Sequence, residues 1–392
     1  MAFGKKDWFM IDPKSVYLTH GTFGGCLKVA FDNKIKWQQK IESDPFDFLN
    51  NHAVNELEYS RNILGKYLNC NHNNLVYFPN PSTALNAVIK SLKLNAGDQV
   101  LTSNHEYGSL DRTWQYYAKS KGYNYEHINI DIPYNDKSLF LNAFSNAING
   151  KTKIIYLSHI TSSTGLVFPV KEICQIAREN NILSIIDGAH APGQIEVNIS
   201  DIKPDIYVGA CHKWMCSPKG ASFLYASQTI QNLIEPLVIS WGWKSETPGK
   251  SQFLDYHQYQ GTNDISAYLT IPEIVNFFKE KKWGDVQKKC HNLVLDFLNN
   301  NMTALEPCST NPNHLAQMLS FKINKKSHLV KKIFDNPLEI IEAQNKIYNY
   351  NKIRIPIILW NKEVYSRLSI QAYNTPDDLN RLLDMLNYFN LL

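Results

Sequence analysis

The fold class of this chain is decided by residues 183–190, whose sequence is LSIIDGAH. The first four residues form a short apolar run with two β-branched isoleucines, which is typical of a strand buried on both faces of a sheet. Asp187 ends this run and small residues follow it. A buried acid is costly unless it meets a cation or a hydrogen-bond donor, so Asp187 is a candidate functional residue. The alternative is that Asp187 caps the next helix.

Short apolar runs alternate with segments of helical spacing on both sides of this stretch. This alternation predicts an α/β fold with a mainly parallel sheet covered by helices on both faces. Ligands of such sheets bind beyond the carboxyl ends of the strands. Strands are predicted at 75–78, 99–102, 153–158, 206–209 and 221–225, and helices at 82–92, 110–121 and 170–180.

The chain divides into a large domain with smaller flanking parts. At 392 residues it exceeds the size at which single cores stop growing, about 250–300 residues. From about residue 272 the pattern changes to longer helices and isolated strands, and Thr375 followed by Pro376 predicts the start of a last helix. We therefore predict an N-terminal arm at 1–30, a large domain at 31–265 and a small α+β domain at 266–392. Within the last part, helices are predicted at 271–281 and 287–299 and strands at 317–323, 353–359 and 365–372.

Composition and charge exclude several classes of protein. A net charge of +4, from 40 basic and 36 acidic residues spread along the chain, does not indicate a nucleic-acid partner. No run approaches the roughly 20 apolar residues of a membrane span, and no secretion signal is evident. Seven cysteines without a C-x-x-C pair indicate reduced thiols, so we predict a cytoplasmic protein without a metal site.

A candidate nucleophile occurs in the sequence GACHKW at 209–214. Lys213 lies between two predicted strands, among small and bulky apolar residues. Desolvation there would leave its amine neutral and nucleophilic, which is what Schiff-base formation needs. A His-Lys pair on its own is weak evidence, because most lysines lie on the surface.

A candidate anion site occurs in the sequence NPSTALN at 80–86, between a strand and a helix. Free backbone N–H groups at a helix start, together with the hydroxyls of Ser82 and Thr83, suit a phosphate group. The same residues also make an ordinary helix cap.

Together these motifs resemble the class V aminotransferase family of fold-type I enzymes that use pyridoxal 5'-phosphate (PLP). Within the family they are similar to the isopenicillin N epimerase-like branch. Three further segments carry the resemblance: YLTHGTFG at 17–24, HEY at 105–107 and SHITSSTG at 158–165. The resemblance implies a PLP-dependent transferase-like fold, of the aspartate aminotransferase type, with PLP as the cofactor.

The resemblance also implies roles around the cofactor ring. Lys213 would hold PLP as a Schiff base, and Asp187 would pair with the pyridine nitrogen, which keeps PLP an electron sink. Tyr107 would stack on the ring face, and His190 would lie near the ring hydroxyl. Without the resemblance, Tyr107 is an ordinary aromatic of a sheet and His190 a satisfied core histidine.

Further implied roles concern the phosphate and the substrate. Ser82, Thr83 and His212 would hold the phosphate, and Ser162 lies in the strand-end loop over the cofactor. Thr262 would reach the phosphate of the neighbouring subunit, which predicts a homodimer. The partner would be a small-molecule substrate, an amino acid. Its α-carboxylate would be bound by Arg367, whose planar fork of donors suits that task, although Arg367 could also be a surface strand residue.

Three positions depart from the pattern of the relatives. Pro81 removes one N–H group from the phosphate loop, and Cys211 stands where relatives often have a hydroxyl residue. Both changes predict a weaker or differently shared phosphate site. Ser162 stands where the desulfurase branch often has Asn, which favours the epimerase-like branch. Trp241 and Trp243 are left outside the catalytic set, because paired tryptophans are more often packing anchors.

The implied reaction is removal of the α-proton of an amino acid, followed by epimerisation or racemisation. A PLP-dependent C–S lyase, of cysteine or cysteine-sulfoxide type, and a class V aminotransferase share this first step and stay open. A persulfide relay is not expected, because residues 351–366 contain no cysteine and Cys308 lies far upstream. A non-catalytic PLP-binding amine sensor is a minor alternative, since such a domain has little need of an α-carboxylate clamp.

Overall fold

The N-terminal part of the chain combines one short strand with four helices. The computed structural model describes residues 4–334 and 336–392, so the first three residues of the predicted arm lie outside the described part. Helix α4 buries Leu57, Leu64 and Leu68 at helical spacing, which explains why this polar-looking segment folds as a helix. The elements are β1 (Val16–Tyr17), α1 (His20–Phe23), α2 (Lys28–Ser43), α3 (Pro45–Asp47) and α4 (Ala53–Leu68).

A seven-stranded sheet forms the centre of the molecule. Its spatial order is β2-β8-β7-β6-β5-β3-β4, and four of its six pairings are parallel. The predicted α/β class with a mainly parallel sheet is therefore confirmed. The strands are β2 (Leu75–Phe78), β3 (Gln99–Ser103), β4 (Asn124–Ile128), β5 (Thr152–Ser158), β6 (Leu183–Gly188), β7 (Ile206–Ala210) and β8 (Ser222–Ala226). The helices are α5 (Pro81–Ser91), α6 (Gly108–Lys121), α7 (Lys137–Ala147), α8 (Val170–Glu179) and α9 (Ile199–Ile202).

Strand β8 runs against the other six strands of this sheet. It follows β7 after the short connection 211–221, and parallel neighbours need a crossover of a dozen or more residues, usually containing a helix. The connection is too short and contains no helix, so the chain turns back. This turn leaves residues 211–221 at the edge of the sheet where the parallel strands end.

The C-terminal part is built from longer helices and a second, antiparallel sheet. This sheet has the order β12-β13-β10-β9 and confirms the predicted smaller α+β part, while the exact domain boundaries stay a prediction. The helices are α10 (Gln252–Gln258), α11 (Ser266–Leu269), α12 (Ile271–Glu280), α13 (Trp283–Asn300), α14 (Glu339–Asn351) and α15 (Pro376–Tyr388). The strands are β9 (Glu306–Pro307), β10 (Met318–Lys322), β11 (Ile353–Arg354), β12 (Ile357–Trp360) and β13 (Glu363–Ser369).

The structure corrects the predicted strand at 353–359. Two strands occupy this stretch: β11 pairs with β1, whereas β12 pairs with β13. Pro356 separates them, and proline has no backbone N–H group to donate to a ladder. Strand β4 was not predicted, because its sequence NYEHI is polar and largely accessible at the sheet edge.

The central sheet separates two apolar cores. Helices α5 and α6 cover one face, where Val88, Trp114 and Tyr156 are buried. The core on the other face continues into the C-terminal sheet through residues such as Met318 and Leu368. None of the helices within residues 4–334 and 336–392 has a stretch long and apolar enough to span a bilayer.

Candidate active site

The candidate residues gather where the parallel strands end. Ser82 follows β2, Tyr107 follows β3, Ser162 follows β5, and Lys213 follows β7. They surround a cavity of about 310 Å³, within the usual range for ligand sites. The cavity is lined by Thr22, Phe23, Asn80, Pro81, Ser82, Tyr107, Leu110, Ser158, Ile160, Ser162, Asp187, Ala189, His190, His212, Lys213 and Arg367.

Lys213 projects its amine into this cavity. Its Nζ lies 3.2 Å from Nε2 of His190 and 5.9 Å from the ring centroid of Tyr107. Burial lowers the pKa of Lys213 to about 8; the charge of Arg367 acts in the same direction and that of Asp187 opposes it. A substantial fraction of the amine is therefore neutral near pH 8, as a nucleophile or a proton acceptor requires.

Asp187 ends strand β6 and faces the same cavity. Its Oδ1 accepts a hydrogen bond of 2.9 Å from the backbone N–H of Ala189, and its Oδ2 lies 3.3 Å from the hydroxyl of Tyr156. The alternative that it merely caps a helix is not met, because the residues after β6 form turns. Burial raises the pKa of Asp187, although the Ala189 N–H and Lys213 lower it. The carboxylate is thus poorly compensated by the protein alone.

Glu106 is a second buried carboxyl group close to Asp187, and it was not among the predicted site residues. Its Oε1 accepts from the Ser103 hydroxyl at 2.6 Å, and its Oε2 accepts from the N–H and the hydroxyl of Ser158 at 2.9 and 2.6 Å. Burial raises the pKa of Glu106 to about 7, and Asp187 adds to this. The signal in the sequence was an acid directly before Tyr107.

His190 and Tyr107 both lie close to the Lys213 amine, and both line the cavity. His190 is buried, and its Nδ1 accepts from the indole N–H of Trp214 at 3.2 Å. Tyr107 is 42% exposed and lines the cavity. The space between them is bounded by groups suited to hold a flat, polar ring.

The first turn of α5 forms the corner predicted to bind phosphate. Asn80 caps the helix, because its Oδ1 accepts from the N–H and the hydroxyl of Thr83 at 2.8 and 3.0 Å. Ser82 lines the cavity, and so does His212, whose Nδ1 bonds the carbonyl of Ala221 at 2.8 Å. The Thr83 hydroxyl is thus hydrogen-bonded to Asn80. Asn80 was not among the predicted site residues, although its position directly before Pro81 is typical of an N-cap.

Arg367 enters the cavity from the C-terminal sheet. It is 3% exposed, so the alternative of a surface strand residue is wrong. Its Nη1 donates to the carbonyl of Ser162, and its Nη2 donates to the Thr22 hydroxyl at 3.0 Å. Within the described residues its Nε has no partner, and burial lowers the pKa of Arg367 to about 10. A buried guanidinium without a carboxylate is suited to bind an anion.

Of the predicted residues, Thr83 and Thr262 do not line this cavity. Thr83 bonds Asn80 in the first turn of α5, whereas Thr262 lies elsewhere. It is exposed on the loop between α10 and α11, where its hydroxyl lies 3.0 Å from that of Tyr259. The predicted role in a neighbouring subunit's site stays a prediction.

The cavity fits PLP on the evidence of its own side chains. Asp187 would match a protonated pyridine nitrogen, since among the described residues it has no salt bridge within 4.0 Å. The start of α5 would match a phosphate group. Lys213 would match an aldehyde carbon.

Comparisons with known proteins agree with this chemistry. The family model "Aminotransferase class-V" matches residues 42–382. Isopenicillin N epimerase from Amycolatopsis lactamdurans is 25% identical over 96% of this chain and 95% of that protein. A probable chloroplastic L-cysteine desulfhydrase from Arabidopsis thaliana is 23% identical over 96% of this chain and 83% of that protein. A solved structure of a cystine C–S lyase with its product cysteine persulfide has a TM-score of 0.82 at 20% identity, covering 96% of this chain and 98% of that one.

The residues that the family model matches include Lys213, Asp187 and Arg367. The structural likeness extends over nearly the whole length and therefore includes the small C-terminal part. The chain accordingly belongs to the class-V aminotransferase family and is a PLP-dependent enzyme.

Proposed function

We propose that this enzyme acts at the α-carbon of an amino acid and is an epimerase or racemase similar to isopenicillin N epimerase. The observation that carries the proposal is that the amine of Lys213 and the guanidinium of Arg367 open onto one cavity. The first is a proton acceptor and the second an anion binder. An α-amino acid presents the two matching groups, an α-proton and a carboxylate, on one carbon.

Each residue at the ring position has a distinct task in this proposal. When bound, PLP supplies an electron sink for negative charge at the α-carbon. Lys213 would hold the cofactor through Nζ, and the same atom would accept the α-proton of a bound substrate. Asp187 would keep a proton on the pyridine nitrogen. Tyr107 would stack on the ring, and His190 would bind the ring hydroxyl.

The remaining residues bind the phosphate of the cofactor and the carboxylate of the substrate. Ser82, Thr83 and His212 hold the phosphate, with Thr83 acting through the capped turn of α5. Arg367 binds the substrate carboxylate, and its hydrogen bond to Ser162, a predicted cofactor-binding residue, fixes the direction of its planar fork. Such positioning orients the α-proton toward Lys213.

Cysteine placement supports the epimerase over a persulfide-forming desulfurase. The described residues that line the cavity include no cysteine. Cys308 is buried, and burial raises the pKa of its thiol, so it is a poor nucleophile. A C–S lyase that releases its product without a persulfide relay is the second candidate, because the desulfhydrase relative matches nearly the whole chain. Transamination requires the same first step.

We also infer a homodimer in which Thr262 reaches the phosphate of the neighbouring subunit. The segment that precedes α10 exposes large apolar side chains: Ile239 is 70% exposed and Trp241 is 84% exposed. A surface of this kind in a soluble domain indicates an interaction site. A second copy of the chain would cover it and bring Thr262 near another cavity.

The decisive test is solvent-deuterium NMR of the PLP-loaded protein with L- and D-amino acids, including cysteine and its sulfoxides. We expect one amino acid to gain α-deuterium and to appear as its other stereoisomer. Appearance of pyruvate without an amino acceptor would instead identify a C–S lyase, and a need for an oxo acid would identify an aminotransferase. Binding without exchange of the α-proton across the panel would favour the amine sensor.

A further inference from the structure

Trp214 follows Lys213 in the chain, and its side chain contacts the imidazole of His190, which lies beside the Lys213 amine. Its side chain is fully buried and packs against the ring of His20, with 4.8 Å between the ring centroids. Its Nε1 donates a hydrogen bond of 3.2 Å to Nδ1 of His190. An indole N–H group is a donor only, so Nδ1 of His190 must be the acceptor.

This contact determines where the imidazole carries its proton. Burial and the nearby charges of Lys213 and Arg367 lower the pKa of His190 well below its ordinary value, so the ring is neutral. A neutral imidazole whose Nδ1 accepts has its single proton on Nε2. Nε2 is the atom that lies 3.2 Å from Nζ of Lys213.

We propose that Trp214 is a positioning residue that fixes the Nε2–H tautomer of His190 and thereby favours the neutral form of the Lys213 amine. The Nε2–H group needs an acceptor, and only a neutral amine has a lone pair to offer. An ammonium group has only N–H donors, so it would face the Nε2–H donor of His190 with no acceptor between them. The opposite tautomer would present a lone pair to Nζ and would favour the ammonium form. The inference rests on the proposed role of Lys213 as the amine that holds the cofactor.

Other ionisable groups also surround this pair. Asp187 raises the pKa of Lys213 and Arg367 lowers it. His20 is neutral, since burial lowers its pKa to about 3. None of these groups is removed when the indole is replaced, so a change in the titration of Lys213 would report the loss of the tautomer preference.

The first test measures the tautomer directly in the unmodified protein. We would record the ring ¹⁵N resonances of the ¹⁵N-histidine-labelled chain, with and without PLP, and assign those of His190 with a His190→Asn variant. We expect Nδ1 of His190 in the unprotonated range and Nε2 in the protonated range. The reverse pattern, or two equally populated tautomers, would overturn the proposal.

The second test measures the consequence for the amine. Full-length chain dialysed free of PLP would be acetylated at a series of pH values, and the peptide carrying Lys213 quantified by mass spectrometry. For Trp214→Phe we expect the midpoint of the curve of Lys213 acetylation rate against pH to rise by about 1 pH unit. At pH values below the midpoint, acetylation should therefore be about tenfold slower than in wild type. Trp283→Phe is the matched control. The indole N–H of Trp283 donates to the carbonyl of Gly193, which lies three residues after His190, and not to the His190 ring.

A midpoint in Trp214→Phe equal to that in Trp283→Phe would overturn the proposal. Neither readout requires turnover. If the chain proved to have a different activity, the tautomer and the titration of the amine would still be measured, so failure of this inference and failure of the proposed function are separable.

Discussion

At the scale of single residues, the two buried carboxyl groups of the site, Glu106 and Asp187, differ in their hydrogen-bond partners. Glu106 accepts hydrogen bonds from Ser103 and Ser158, whereas Asp187 is turned toward the cavity. Two like charges in a low-dielectric corner disfavour each other, so one of them is held protonated at a higher pH. The raised pKa of Glu106, about 7, indicates that Asp187 is the group left to meet a cation in the cavity.

Replacement of Glu106 should change how stability depends on pH. The pKa of Glu106 in the folded state lies above its unfolded value, so the folded state binds the extra proton and stability falls as pH rises from about 4.5 to about 7. Glu106→Gln lacks this ionisation. We expect the stability of Glu106→Gln relative to wild type to increase over that pH range by about 1–3 kcal/mol. The increase should appear as a rise in its melting temperature relative to that of wild type.

Thermal unfolding followed by circular dichroism between pH 4.5 and 8.5 measures this difference. Glu179→Gln is the control, because Glu179 is an exposed carboxyl group on α8. A pH-independent difference for Glu106→Gln, or an equal pH dependence in both variants, would show that Glu106 does not titrate in the folded protein.

Arg367 is expected to bind the substrate carboxylate. Arg367→Lys keeps the charge but loses the planar fork, so the dissociation constant for a carboxylate-bearing amino acid should rise about 10- to 100-fold. The same amine without its carboxylate should bind equally well to both proteins. Titration of the PLP absorbance measures both ligands, with Arg381→Lys on α15 as the control variant. Equal weakening of the two ligands would mean that Arg367 has only a structural role.

At the scale of secondary-structure elements, the start of α5 combines a helix cap with an anion site. Asn80→Ala removes the acceptor for Thr83, so we expect a loss of about 1 kcal/mol of stability and weaker PLP binding. Thr375→Ala removes the cap of α15, where a capping box with Asp378 is present. It should cost similar stability, about 1 kcal/mol, and leave PLP binding unchanged. Unfolding and PLP titrations of both variants decide this; an unchanged affinity in Asn80→Ala would remove the α5 turn from the phosphate site.

The turn between β7 and β8 shows how one connection places a functional residue. Because the connection is short, β8 must return antiparallel, and residues 211–221 remain at the edge where the parallel strands end. Lys213 therefore lies above β7 and next to the end of β6, which carries Asp187. The periodicity of the chain predicted both strands but not the direction of the second.

At the scale of the whole molecule, the site joins three distant parts of the chain. Arg367 on β13 contacts Ser162 beyond β5 and Thr22 on α1. The N-terminal arm is tied to the same C-terminal part by the pairing of β1 with β11. Closure of the cavity thus depends on correct packing of both ends of the chain.

The proposed dimer predicts complementation between two defective chains. Lys213→Ala and Thr262→Ala homodimers should each bind PLP poorly, whereas co-expressed chains should form mixed dimers with one intact site. Absorbance titration of the purified mixed dimer should show about one tight site per two chains. Trp241→Ser should sediment as a monomer, and Tyr116→Ser, which changes an exposed tyrosine on α6, is the control. A mixed dimer without a tight site would exclude Thr262 from the neighbouring cavity.

The sequence by itself determined the α/β class, the positions of most strands along the chain and the candidates Lys213 and Asp187. Buried parallel strands and the residues after them have local signatures. Only the tertiary structure decided that Arg367 is buried, that Glu106 shares the corner of Asp187 and that Trp214 donates to His190. These facts depend on contacts between residues far apart in the chain, and neither periodicity nor local spacing carries information about such contacts.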